Sequence, residues 1–135
     1  MKFSSLLFCV LFILTACKND QKTEGTLALK ERAKAIHERV ITLDTHCDID
    51  VNNFTDSINY TQRLKSQVNL PKMIEGGLDV PWFIVYTGQD SLTEKGYKKA
   101  YENAMSKFDA IHKLVNEIAP NEIELATTSD DVRRI

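Results

Sequence analysis

The sequence predicts an α/β fold built on a parallel sheet, and three stretches carry that prediction. Val40-Ile41-Thr42-Leu43 is short, apolar and β-branched, as a buried strand is. Residues 82–86 (Trp, Phe, Ile, Val, Tyr) are apolar on both faces, which suits a parallel strand covered by helices. Between the second strand and a third candidate at residues 123–127, apolar positions recur in steps of four and three, the period of a long helix. Strands alternating with helices favour a parallel sheet over an antiparallel one.

Taken in chain order, Leu29, Ala33, Ile36 and Val40 form one helical stripe leading into the first strand. That strand ends in the polar run Asp44-Thr45-His46-Cys47-Asp48. Asn and Asp between residues 52 and 59 suggest a loop, with a short helical piece near 60–65. Pro71 to Glu75 reads as a short helix with proline in its first turn, stopped at Gly76-Gly77 because glycine accepts a left-handed backbone. Ser91-Leu92-Thr93-Glu94 matches a capping box for the long helix. Tyr97, Tyr101, Ala104, Phe108, Ile111, Val115 and Ile118 continue its stripe as far as Pro120. Thr128-Ser129-Asp130-Asp131 then caps a further helix expected from Val132.

The chain's beginning is of another kind. Lys2 precedes an unbroken apolar run at residues 6–14, too short for a bilayer, which takes about 20 apolar residues. It fits the apolar region of a secretory signal. Leu14-Thr15-Ala16-Cys17 resembles the lipobox of bacterial lipoproteins, which implies that residues 1–16 are removed and Cys17 is acylated. Residues 17–27 then read as a lipidated cysteine and flexible tether, and 28–135 as the folded part. The expected destination is the cell envelope, with Lys18 after the cysteine favouring the outer membrane. Cys9 leaves with the signal and Cys17 carries lipid, so Cys47 alone stays a thiol and no internal disulfide is expected. A net charge of −2 offers nothing to nucleic acid.

His46 and Asp48 stand two apart at a strand end, so their side chains share a face. An imidazole and a carboxylate converging there suit a divalent metal such as zinc. Spacing alone equally allows a histidine that merely ends a strand. Asp44 either supports His46 or closes the strand. Cys47 points the other way and is expected in the core. His37 and His112 lie within helices and read as exposed helical residues rather than ligands. No phosphate-binding loop, no GxSxG elbow and no basic stripe is present.

Leu43-Asp44-Thr45-His46-Cys47-Asp48 resembles the opening motif of the membrane (renal-type) dipeptidases, metallopeptidase family M19. The likeness continues through residues 68–77, with Asn69-Leu70-Pro71-Lys72 and the Gly76-Gly77 turn, through the aromatic strand at 82–86, and through residues 108–112 and 126–132. It covers roughly residues 40–135, departing from the family's usual Gly and Asn at Thr45 and Cys47. The resemblance implies a (β/α)₈ TIM-type barrel, incomplete in this chain, with two zinc ions sharing a carboxylate and a dipeptide as substrate. It makes His46 and Asp48 ligands of one zinc and places the shared glutamate and the remaining histidines after Ile135. A homodimer is one assembly it allows, beside attachment to the membrane through the lipid. A barrel of this kind takes roughly 250 residues, so this stretch is expected to be an N-terminal portion, inactive and poorly folded by itself. The alternative reading is a small non-catalytic lipoprotein with a binding role. Other amidohydrolase-like barrels open with His-x-His instead.

Overall fold

Thr42, just before the first strand, ties together the two strands of the sheet. Its hydroxyl donates to the Gly77 carbonyl (2.6 Å) and accepts the Asp79 N–H (2.8 Å), while its own N–H reaches the Asp79 carboxylate (2.8 Å). The Val80 N–H closes the set on the Thr42 carbonyl (3.0 Å). From this clamp β1 (Leu43–Asp48) and β2 (Val80–Ile84) run parallel. The computed structural model describes residues 24–135. The expected signal at 1–16, the lipidated Cys17 and most of the tether lie outside the described residues.

The chain divides into two units, residues 1–40 and residues 41–135. The first contains α1, residues 24–37, rich in the strong helix formers Ala, Leu, Lys, Glu and Arg. Residues 24–27 of it fall in the stretch expected to be tether. The second unit holds β1, a 3₁₀ turn at Val51–Asn53, α2 (Leu70–Gly76), β2, α3 (Glu94–Lys113), a π-helical turn at Leu114–Ile118 and α4 (Ser129–Arg134). No helix among the described residues is long and apolar enough to cross a membrane.

A mixed α/β architecture with a small parallel sheet is therefore what these residues form, and two strands do not make a barrel. Residues 123–127, expected as a third strand, form no strand pairing among the described residues. Alternating apolar side chains make a segment strand-competent, but its backbone groups become a strand only on a partner's ladder. The helical piece expected near residues 60–65 is a turn instead. The Asn59 side chain accepts from the Thr61 N–H and hydroxyl, outcompeting a helical path.

α2 follows its expectation. The Asn69 side chain caps it, proline stands in the first turn, and Gly77 at φ 65° ends it, with the Leu78 N–H donating back to the Met73 carbonyl (2.9 Å). α3 departs in its cap: Thr93, not Ser91, accepts the Gly96 N–H (3.2 Å). A Cβ on Gly96 would sit 2.0 Å from the Ser91 carbonyl oxygen, so this glycine lets the chain fold back on the helix start. α4 starts at Ser129 rather than Val132, with Thr128 and Asp131 forming a reciprocal capping box. The threonine N–H and hydroxyl groups around Asp131 hold its carboxyl down at about 2.

The core comprises Ile49, Phe54, Tyr60, Leu70, Met73, Ala110, Leu114 and Ala119. Phe54 and Tyr60 rings lie 4.5 Å apart, and Phe83 meets both edge-on at 6.3 and 5.6 Å. α3 joins this core through its C-terminal part alone. Tyr97, Tyr101 and Phe108, expected on the inner stripe, are exposed, whereas Ala110 and Leu114 are buried. The stripe is wider than the surface this small core offers it.

Candidate functional site: the end of the first strand

The chemistry-bearing segment is the C-terminal half of β1. β1 and β2 pair Leu43 with Val80 and Asp44 with Pro81, then Cys47 with Phe83 and Asp48 with Ile84. β1 thus takes three steps where β2 takes two, a bulge that places one extra residue in β1. The slip begins beside Pro81, which has no N–H to contribute to the ladder.

Asp44 compensates for it. Its carboxylate accepts the His46 backbone N–H (2.9 Å), an Asp-to-second-residue turn of the kind short acidic side chains favour. That bond, followed by one from the Cys47 thiol, holds the Asp44 carboxyl below its ordinary range. Asp44 therefore grips the backbone of His46 and not its imidazole. The Asp-x-His spacing is the signal in the sequence for this role.

Past the bulge the strand alternates sharply. Cys47 is 3% exposed and Ile49 7% exposed, both turned toward the core. Burial, and then the Asp44 carboxylate, push the Cys47 thiol up to about 11, so it is an inert packing group. His46 and Asp48 point the other way, with side chains 68% and 71% exposed. His46 Nε2 lies 3.9 Å from Asp48 Oδ1, too far for a hydrogen bond. At 3.9 Å the two groups stand somewhat wider than the roughly 3.4 Å between neighbouring ligands of a tetrahedral zinc, so a small side-chain rotation would be needed for both to reach one cation. Two groups fall short of the four a tetrahedral zinc takes, and no group of three or more His, Cys, Asp or Glu able to hold a metal occurs among the described residues.

The strand end is held from behind. Ile49 enters the core, and the Asp50 carboxylate accepts the Asn52 N–H (3.0 Å) to start the 3₁₀ turn. By the register, Trp82 and Ile84 of β2 share the face of Asp48, and Trp82 is 58% exposed. His37 and His112 lie exposed on α1 and α3, as their helical positions suggest.

No match was found among curated proteins, nor among solved structures. A family model described as membrane dipeptidase (peptidase family M19) matches residues 30–135, well over half of the chain and all of the strand-end motif. This chain belongs to the membrane dipeptidase family, peptidase family M19.

Proposed function

We propose that the intact protein is a zinc-dependent dipeptidase, with His46 and Asp48 as ligands of one of two zinc ions. The observation that carries this reading is their placement: two donors of the right chemical types, side by side on the open face of a strand's C-terminal end, in a member of a peptidase family. We read β1, α2, β2 and α3 as opening units of a (β/α)₈ barrel, whose active sites sit at the C-terminal ends of the strands. Parallel pairing and a helix after each strand support that reading. Zinc at this place would supply Lewis acidity, activating water near neutral pH and polarising the peptide carbonyl. His46 and Asp48 would hold and orient it, and the Asp44 bond to the His46 backbone would fix the direction of the imidazole. The reading requires further ligands besides these two, including the carboxylate shared between the metals.

We place the protein in the cell envelope, exported by the signal at residues 1–16 and anchored, in the outer membrane, by acylated Cys17. The test is a dipeptide hydrolysis assay on the product of the complete reading frame, before and after chelation. Activity should vanish on chelation and return with zinc. His46→Ala and Asp48→Ala should each lower kcat/KM by at least about 100-fold. Hydrolysis indifferent to chelation would sink the metal reading. An inert product that takes up no zinc would instead make this a non-catalytic lipoprotein.

A further inference from the structure

The bulge in β1 sets which side chains of β2 stand beside His46 and Asp48. Asp44 lies opposite Pro81 and Cys47 opposite Phe83, so Trp82 faces the two-residue step Thr45-His46. Phe83 meets Phe54 and Tyr60 on the core side, where Cys47 is also buried. Alternation therefore carries Trp82 and Ile84 to the other face, the one that His46 and Asp48 occupy. Trp82 comes level with His46 and Ile84 with Asp48, one strand spacing of about 4.8 Å away. Without the extra residue, the ladder leading from Asp44 and Pro81 would set His46 level with Phe83 instead, on the core face. These placements follow from pairing inside the unit at residues 41–135 and not from how exposed a side chain is, so a surrounding barrel leaves them in force.

We propose that Trp82 and Ile84 form an apolar wall of the substrate site and seat an apolar side chain of the dipeptide. The proposal rests on the dipeptidase reading and adds to it a substrate class. A dipeptide brings a charged amine, a charged carboxylate and two side chains. On this face β2 carries Val80, Trp82 and Ile84, which have no charge and offer the indole N–H as their one polar group. Either charged end of the substrate would lose water there and gain no counter-charge. An apolar side chain gains by leaving water, and the indole offers it a large, rigid surface. The wall therefore selects dipeptides with an apolar side chain over those with a small or polar one.

The test takes the product of the complete reading frame, loaded with zinc, and compares leucyl-alanine, alanyl-leucine and dialanine. One of the two leucine dipeptides should exceed dialanine in kcat/KM by at least about 10-fold. Trp82→Ala should bring that ratio below about 3, and Ile84→Ser should lower it at least about 2-fold. Trp82→Phe keeps an aromatic face and should hold the ratio within about 2-fold of the original. Binding is read separately by calorimetry, on the same dipeptides with CH2–NH in place of the peptide bond, and Kd should rank them in the same order. If Trp82→Ala does not fold, Ile84→Ser decides alone. Leucine dipeptides no better than dialanine, or a ratio that Trp82→Ala leaves unmoved, overturn the wall while the dipeptidase reading stands. So does an equal loss on all three substrates with a lower urea midpoint, since Trp82 would then serve packing. A zinc-loaded product that hydrolyses none of the three fails the dipeptidase reading itself, and the wall falls with it.

Discussion

The two faces of β1 divide labour residue by residue. Cys47 and Ile49 disappear into the core, and Phe83 joins Phe54 and Tyr60 behind them. His46 and Asp48, on neighbouring positions of the same strand, stand open. Stability therefore resides on one side of the backbone and the proposed chemistry on the other. The period of two lets both be built from consecutive residues. Substitutions should separate the two faces cleanly.

The largest effect belongs to the buried side. Tyr60, 1% exposed and in contact with two aromatic rings, should cost about 3–5 kcal/mol as Tyr60→Ala, read from urea unfolding. A loss under about 1 kcal/mol would mean that the aromatic trio does not hold the strand end. Asn69→Ala should cost about 1–3 kcal/mol, because a fully buried side chain loses its bond to the Lys72 N–H and α2 loses its cap.

Alkali probes the same core. Burial, then the charges of Cys47 and Asp50, push the Tyr60 hydroxyl up to about 12 from its ordinary 10. The folded chain keeps a proton that the unfolded chain releases, so the Tyr60 contribution is complete below pH 10 and is lost as pH rises toward 12. The urea midpoint should fall over that interval, and fall less in Tyr60→Phe. An identical fall in both would remove Tyr60 as the cause.

The open face should show the smallest effect. His46→Ala and Asp48→Ala should each change unfolding free energy by no more than about 0.5 kcal/mol, as exposed positions do. If either cost as much as Asn69→Ala, the open face would be structural too, and the division between the faces would fail.

Much of this was legible in the sequence because it depends on near neighbours. The α2 stop at Gly77, the outward pairing of His46 with Asp48 and the inward turn of Cys47 follow from local backbone geometry. The family likeness could be read from the strand-end motif onward for the same reason, since ordered short motifs survive as local patterns. Element boundaries were less legible. Ser91 and Thr93 are both competent caps, and the choice between them fell to Gly96, which lets the preceding loop close on the helix start.

What the tertiary structure alone decided are the contacts between distant residues. Pro81 opposite Asp44 sets the bulge, and no pattern within β1 announces a proline 37 positions away. The stripe that starts in α3 reads as uniformly apolar, yet Tyr97, Tyr101 and Phe108 stay exposed while Ile111 and Ile118 pack against the core, because burial depends on what lies opposite and not on the helix itself. Residues 123–127 have strand character without a strand for the same reason. Which side chains share a face follows from the order of residues, since backbone periodicity is local. Which of those faces is covered depends on the partner surface, and only the folded chain supplies it.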